Sequence, residues 1–188
     1  MTLSVPGITE RRLALLCEAI PAARRIGVLE NPGALGHSLY RQELEASAAK
    51  LGITLLPAAI ARTPKELDVA FDVLRRQRPQ ALFVHSDVLF FVQRSRVVSL
   101  AAQARLPASY SFTEDVEAGG LMAYAVQFRD LYERAPVFID KILKGSNPAE
   151  MPIEQPTRFG LWLNLRTANA LGLVLPRTLL LLAERIVE

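Results

Sequence analysis

The chain has 188 residues, of which 51% are hydrophobic and 22% are charged, and its formal net charge at pH 7 is +3. This composition excludes a disordered chain, because disordered segments lack the apolar surface that offsets chain entropy. No apolar run reaches the roughly 18 residues of a membrane helix, and the first residues show no basic start followed by an apolar stretch, so neither a membrane span nor a secretory signal is predicted within the chain as given. The arginines are scattered beside Glu and Asp in helical stretches, a pattern typical of a solvated face, so nucleic acid is not predicted as a partner.

Apolar segments rich in β-branched residues alternate with segments of helical periodicity along the chain. This alternation predicts an α/β fold, in which βαβ units build three layers around a parallel sheet. Strands are predicted at residues 25–30, 53–60, 81–85, 107–111, 121–125 and 158–163. Helices are predicted at residues 38–51, 64–77, 89–105, 114–118, 129–144, 166–171 and 178–187.

Local signals mark the ends of several of these helices. Thr63, Pro64 and Glu66 have the spacing of a capping box, with proline at the first helical position. Pro136 lies inside the helix predicted at residues 129–144, which it should kink or split. Three prolines in residues 146–156 predict an extended connection, which is the best candidate for a linker.

Residues that usually carry catalysis or bind metals are sparse. The sequence has no GxSxG, GxxxxGK[ST] or GxGxxG motif, and His37, His85 and the single cysteine, Cys17, have no partner nearby with the spacing of a metal site. The sequence therefore predicts no enzyme, no catalytic residue, no metal and no cofactor. A buried structural thiol is favoured for Cys17, and an ordinary hydrogen-bonded histidine for His85.

Polar and aromatic residues follow several predicted strands, at the edge where open α/β sheets bind ligands. Asn31 begins a segment that either forms a tight turn or contacts a ligand. Ser86 and Asp87 directly follow a strand, and Asp87 could either pair with an ammonium group or cap the next helix. Tyr110 and Tyr124 could supply aromatic contacts to a ligand, or pack in the core or at its rim.

The chain contains, in this order, the segments RIGVLENPG, ALFVHSDVLFF, RLPASYSFTEDVEAGGLMAY, IDKILKGSNPAEMPIEQP and RFGLWLNLRTANALGLVLP. In this order and spacing they resemble the ABC-transporter substrate-binding protein family, in the branch that includes the aromatic amino-acid binders. The resemblance runs from about residue 8 to the C-terminus. It implies a type I periplasmic-binding fold, in which two α/β lobes joined by crossing strands hold the ligand between them.

Compared with that plan, the chain resembles mainly the second lobe and lacks most of the N-terminal lobe. The resemblance implies a second-lobe domain at residues 1–120, a strand and helix that return to the first lobe at 121–151, and a return strand with C-terminal helices at 152–188. The returning helix has apolar residues that would lack a sheet to cover: Leu131, Val137, Phe138 and Ile142. Exposed apolar faces attract partners, so self-association as a homodimer or through an exchanged element is predicted.

The resemblance also implies a function. Such a protein binds a small polar solute, for example an amino acid, and delivers it to an ABC permease with its ATPase in the periplasm or another extracytoplasmic space. The implied ligand-contacting residues are Asn31, Ser86, Asp87, Tyr110 and Glu114, with Tyr124 at the hinge. The family commonly has Ser-Tyr-Gly-Pro-Asn at this hinge, whereas residues 123–127 are Ala-Tyr-Ala-Val-Gln. Two alternatives are a regulatory or sensory ligand-binding module and a truncated fragment that binds nothing, because half a cleft cannot enclose a ligand.

Overall fold

The computed structural model describes residues 7–126, 128–148, 151 and 158–188, and of residues 128–135 it describes the backbone alone. These residues form a mostly parallel sheet with helices on both faces, which confirms the predicted three-layer α/β fold. The strands are β1 (Arg25–Glu30), β2 (Thr54–Leu55), β3 (Ala59–Ile60), β4 (Ala81–Val84), β5 (Ala108–Tyr110), β6 (Met122–Val126), β7 (Phe159–Asn164) and β8 (Ala183–Val187). The helices are α1 (Ile8–Ala19), α2 (His37–Lys50), α3 (Leu67–Gln77), α4 (Val88–Val92), α5 (Arg94–Gln103), α6 (Thr113–Glu117), α7 (Phe128–Leu143), α8 (Leu165–Ala170) and α9 (Arg177–Leu182).

The strand order places the ends of several parallel strands side by side. The order is β2-β1-β4-β5-β6-β7-β8, and β3 also pairs with β1. Strands β1, β4, β5 and β6 run parallel to one another, whereas β7 is antiparallel to β6 and parallel to β8. We call the edge where β1, β4, β5 and β6 end the carboxyl edge, and the edge where they begin the amino edge.

Alternating side chains of the central strands fill two apolar layers. On one face, Ile26 and Phe83 pack with α1 and α2, and on the other face Leu29 and Leu82 pack with α3 and α5. This period of two follows from the pleat of a strand, which directs successive side chains to opposite faces. Both faces are covered by helices, as expected for strands that are apolar on both sides.

Two predicted elements are divided in the structure. The strand predicted at residues 53–60 is the pair β2 and β3, with Pro57 between them, because proline cannot donate a hydrogen bond to the sheet. The helix predicted at residues 89–105 is the pair α4 and α5, which meet at Gln93.

The capping box predicted at Thr63 does not form in the expected way. Thr63 makes no side-chain cap, and Glu66 Oε2 accepts a hydrogen bond from the backbone N–H of Arg62 at 2.9 Å. The chain enters the helix through a short 3₁₀ turn, Pro64–Glu66, before α3 begins. The helix itself is therefore correctly predicted, but the contact at its start is not.

The helix predicted at residues 178–187 is wrong in its second half. Helix α9 ends at Leu182, and the next five residues form β8, which pairs with β7. Arg185 lies over the ring of Trp162 on β7, 4.9 Å from its centroid. Without β8, the backbone groups along that side of β7 would be unpaired, so pairing favours a strand over a continued helix.

Pro136 was predicted to kink or split the helix at residues 129–144, and helix α7 continues through it without a split. Its last turns expose Val137, Ile139 and Leu143, whose exposed fractions are 50%, 55% and 81%. The Leu131 side chain and most of the linker predicted at residues 146–156 lie outside the described residues. The boundary predicted after residue 120 does not follow an edge of the sheet, because β6 is an inner strand. The division of the chain into lobes and its self-association stay predictions.

No helix within the described ranges is long and apolar enough to cross a membrane.

Candidate ligand-binding site

Asn31 and Asp87 meet at the carboxyl edge, where they follow the neighbouring strands β1 and β4. Asn31 Nδ2 donates a hydrogen bond to Asp87 Oδ1 at 3.3 Å. Asn31 Oδ1 accepts one from the backbone N–H of Gly33 at 3.0 Å, which holds the tight turn after β1. Ser86, next to Asp87, is exposed. The structure thus brings two of the predicted residues into contact and leaves a third exposed beside them.

Asp87 uses one carboxylate oxygen for the protein and has the other available. Its Oδ1 also accepts a hydrogen bond from the backbone N–H of Leu89 at 2.8 Å, so Asp87 caps α4. Within the described part of the chain, no hydrogen bond is formed by Oδ2. The cap and a contact to a cation are therefore compatible, because each uses a different oxygen.

The other three predicted residues make contacts elsewhere. Tyr110 is only 2% exposed and packs in the core on the α5 face, where burial raises the pKa of its hydroxyl. Glu114 is half-buried on α6 and accepts a hydrogen bond from Thr113 Oγ1 at 3.2 Å. Tyr124 is half-buried and stacks on Phe159, with 5.9 Å between ring centroids. Among the described residues, none of the three has a hydrogen bond to Asn31 or Asp87.

An arginine that the sequence did not single out lies beneath the carboxyl edge. Arg12 of α1 is 3% exposed, and its Nη2 donates to the backbone oxygens of Val84 at 2.9 Å and Ser109 at 3.4 Å. Its guanidinium lies over the Phe83 ring, 4.3 Å from the centroid. Burial lowers the pKa of Arg12 to about 10. Arg12 thereby joins the neighbouring strands β4 and β5.

Two histidines and a tyrosine pack together beside this arginine. The rings of Tyr40 and His85 are 4.0 Å apart, and those of His37 and His85 are 5.5 Å apart. Glu30, which is buried, has His37 Nε2 at 3.4 Å and Arg41 Nη1 at 3.2 Å. Helix α2 therefore packs polar side chains against the ends of β1 and β4. No spacing of residues along the chain predicts this contact.

Several buried polar atoms in this region have no hydrogen-bond partner among the described residues. They are Arg12 Nε, Tyr40 Oη, His85 Nδ1 and Ser109 Oγ, and also His37 Nε2, whose 3.4 Å approach to Glu30 Oε1 is not a hydrogen bond. The expectation that His85 is an ordinary hydrogen-bonded histidine is therefore wrong at Nδ1. Unpaired buried polar groups are uncommon in folded proteins, and their concentration here marks the carboxyl edge as a place suited to polar contacts.

Two ionisable groups near this edge have strongly altered pKa values. Burial lowers the pKa of His85 from 6.5 to about 4. Burial also raises the pKa of Asp115 from 3.8 to about 7, although the Phe112 amide and Arg12 act in the opposite direction. Both shifts favour the neutral side chain, so this part of the molecule holds fewer charges near pH 6 than its sequence indicates.

The two shifts predict opposite effects of pH on stability. His85 contributes stability that is present above pH 6.5 and is lost as pH falls towards 4, whereas Asp115 contributes stability that is present below about pH 4 and is lost as pH rises towards 7. Each group changes the free energy of unfolding by about 1.4 kcal/mol per pH unit, with opposite sign. Between pH 4.5 and 6.5 the two contributions therefore cancel.

Separate substitutions should therefore uncover the two slopes. Relative to the unsubstituted chain, His85→Gln should lose stability as pH rises across this window, and Asp115→Asn should gain it. Urea unfolding at pH 4.5, 5.5 and 6.5 measures both differences. Equal pH dependence in the two variants would contradict the prediction.

The fold and this edge define a class of protein. A mostly parallel sheet, covered by helices on both faces and with polar groups at the carboxyl ends of its strands, is a lobe of the kind that binds ligands at that edge. The model of the family "ABC transporter substrate binding protein" matches residues 6–187. The chain belongs to this family, which confirms the resemblance seen in the sequence.

Solved structures show the same fold. An ABC domain from Streptococcus pneumonia in complex with L-Trp is 24% identical, with a TM-score of 0.88, and the match covers 96% of this chain and 60% of that one. A conserved domain protein from Vibrio cholerae is 24% identical, with a TM-score of 0.87 and coverage of 95% and 60%. A sugar ABC substrate-binding protein from Bordetella parapertussis is 17% identical, with a TM-score of 0.56 and coverage of 82% and 54%.

These matches confirm the periplasmic-binding type of fold, and the chain spans about 60% of the length of the first two structures. No curated protein matches the chain.

Proposed function

We propose that this chain is the solute-binding component of an ABC transport system, and that its carboxyl edge binds a small solute with a primary ammonium group, such as an amino acid. The observation that carries the proposal is the Asp87 carboxylate, which is fixed by Asn31 and by the start of α4 while Oδ2 has no partner in the described chain. A carboxylate held in this way is a preorganised acceptor for a cation.

An aromatic pair next to Asp87 supports an apolar body for the solute. Phe91 of α4 and Phe112, which follows β5, have ring centroids 4.7 Å apart, and both are half-buried. Arg94 lies over the Phe91 ring, 5.2 Å from the centroid. Phe91 lies on the helix that Asp87 caps, so aromatic side chains and a single carboxylate come from one segment. Small-molecule sites combine an apolar lining with few polar groups in this way.

The family membership supports the rest of the proposal. In it, the chain works on the extracytoplasmic side of the membrane and delivers its solute to a permease that an ATPase drives. An L-Trp complex and a sugar-system protein both share the fold, so the fold does not indicate whether the solute has an ammonium group. The Asp87 carboxylate is the feature that favours one. The regulatory alternative would use the same ligand site and differ in the partner that responds to it.

Replacing Asp87 tests the proposed site. Asp87→Asn removes the charge but keeps a good helix cap, so the fold should be retained. The affinity for an amino acid that binds the unsubstituted chain should fall about 10- to 100-fold, because a hydrogen bond to a charged group contributes about 1.5–3 kcal/mol. Isothermal titration calorimetry measures this loss, after a thermal-shift screen of amino acids has identified the solute.

The matched control is Asp72→Asn, because Asp72 is an exposed carboxylate on α3 whose charge pairs with Arg75 at 2.7 Å. This variant should bind the solute as the unsubstituted chain does. N-acetylated solutes, which lack the ammonium group, should bind poorly to all forms. Equal binding of acetylated and free solutes would refute the role of Asp87, and no thermal shift with any solute at millimolar concentration would favour a fragment that does not bind.

A further inference from the structure

A cavity of about 340 Å³ opens at the amino edge, away from the site described above. It lies between the end of α5, the glycines before β6 and helix α8, and its apolar lining includes Val98, Leu106, Leu121 and Leu171. Its volume is within the roughly 300–1,000 Å³ of small-molecule sites.

The cavity is separate from the site around Asp87 because it is built mainly where strands begin, although the buried side chain of Tyr110, at the end of β5, also lines it. Leu106 precedes β5 and Leu121 precedes β6, whereas Asn31 and Asp87 follow the ends of β1 and β4. Since these four strands are parallel, their starts and ends lie at opposite edges of the sheet. A molecule in this cavity would not touch the site around Asp87.

Two arginines give the cavity a positive charge. Among the described residues that line it, the charged ones are Arg105 and Arg166. Arg166 Nη2 donates to the backbone oxygen of Glu188 at 2.7 Å. Arg105 is exposed, and its guanidinium forms no hydrogen bond or ion pair within the described chain, so it is available to an anion.

The backbone at Arg105 is one in which glycine is favoured. Arg105 follows α5 with φ of 51°, in the left-handed region that crowds a Cβ atom. Arg78 follows α3 with the same φ of 51°, and it does not line the cavity. The pair offers a matched comparison, because Arg→Gly removes the side chain and relieves the backbone equally at both positions.

We propose that this cavity binds a small amphipathic anion, a carboxylate on a short apolar body. The carboxylate pairs with Arg105 and Arg166, and the apolar body packs against Val98, Leu106 and Leu121. Arginine presents a planar set of donors that matches a carboxylate. The cavity should therefore prefer an anion to a neutral molecule with the same apolar body. The site is independent of the solute that binds at the carboxyl edge.

Octanoate is the probe, and octan-1-ol is the neutral control of the same length. In ¹H–¹⁵N spectra, octanoate should shift the amide signals of the lining residues Gly119, Gly120 and Thr167 in a saturable way. Arg105→Gly should weaken this binding about tenfold, as expected for loss of a charge-assisted contact, and Arg78→Gly should leave it unchanged. Ala102→Trp, which adds bulk at an exposed lining position, should block binding without lowering the melting temperature.

Three results would overturn the proposal. Octan-1-ol could bind as tightly as octanoate, Arg78→Gly could weaken binding as much as Arg105→Gly, or the signals that shift could belong to the exposed end of α7. Binding of an amino acid at the carboxyl edge should be the same in Arg105→Gly as in the unsubstituted chain. Failure of octanoate to bind would also overturn the cavity proposal, and it would leave the Asp87 site to be judged by its own test.

Discussion

Arg12→Ala is expected to destabilise the protein by about 3–4 kcal/mol, which is a fall of about 10 °C in melting temperature for a chain of this size. The substitution removes the donor to Val84 and Ser109 and the cation over Phe83, and it leaves a cavity beneath the carboxyl edge. Urea unfolding measures the loss. Because Arg12 lowers the pKa of Asp115, the variant should also titrate Asp115 at a higher pH.

Arg11 provides the control for this prediction. It is the preceding residue on α1 and is exposed, so Arg11→Ala should change the free energy of unfolding by no more than about 0.5 kcal/mol. Arg12→Met should lie between the two, because it fills much of the space without the hydrogen bonds. If Arg12→Ala is as stable as Arg11→Ala, then Arg12 does not hold the two strands together.

Gly120→Ala should cost about 3 kcal/mol, because the added methyl group has no room. A Cβ at this position would lie 2.7 Å from the backbone oxygen of Asp115 and 2.7 Å from Cε2 of Tyr110. The same Asp115 oxygen accepts the N–H of Gly120 at 2.8 Å, so the backbone cannot move away without loss of that bond. Overpacking of a close-packed core typically costs about 1–3 kcal/mol, and contact with backbone is at the upper end.

Gly172→Ala separates this crowding from backbone strain. Gly172 has φ of 71°, but a Cβ there would meet nothing within 4 Å. Its substitution should cost only about 1 kcal/mol, the strain of a left-handed residue. Chemical denaturation of both variants gives the ranking, and a Gly120→Ala variant as stable as Gly172→Ala would show that Tyr110 can move aside.

The sequence predicted most of the elements because their signals are local. The strand predicted at residues 25–30 has the same bounds as β1. Helices α2 and α8 end two residues before Gly52 and Gly172, which have φ of 65° and 71°. The terminal strand β8 was missed because its partner, β7, lies about 20 residues earlier. Whether that segment is a helix or a strand depends on the open side of β7, which no local pattern reveals.

Some residues of the candidate site could likewise be predicted from the sequence, and others could not. Asn31 and Asp87 were predicted because parallel strands end at one edge, and the structure places them in contact. Arg12 was missed although it shares the buried face of α1 with Thr9, Leu13 and Leu16, spaced three and four residues apart. For Tyr110 the sequence left open a ligand contact or packing in the core, and the structure places it in the core.

By itself, the sequence determined the family and the βαβ order and predicted the edge at which a solute would bind, because periodicity, helix caps and strand ends depend on neighbouring residues. The tertiary structure alone decided which polar groups are buried at that edge. The hydrogen bond from Arg12 to Val84 joins residues 72 positions apart. The ring of Tyr40, on α2, packs against the ring of His85, which follows β4. Burial of such groups is set by contacts between distant segments, and these exist only once the sheet and its covering helices have packed.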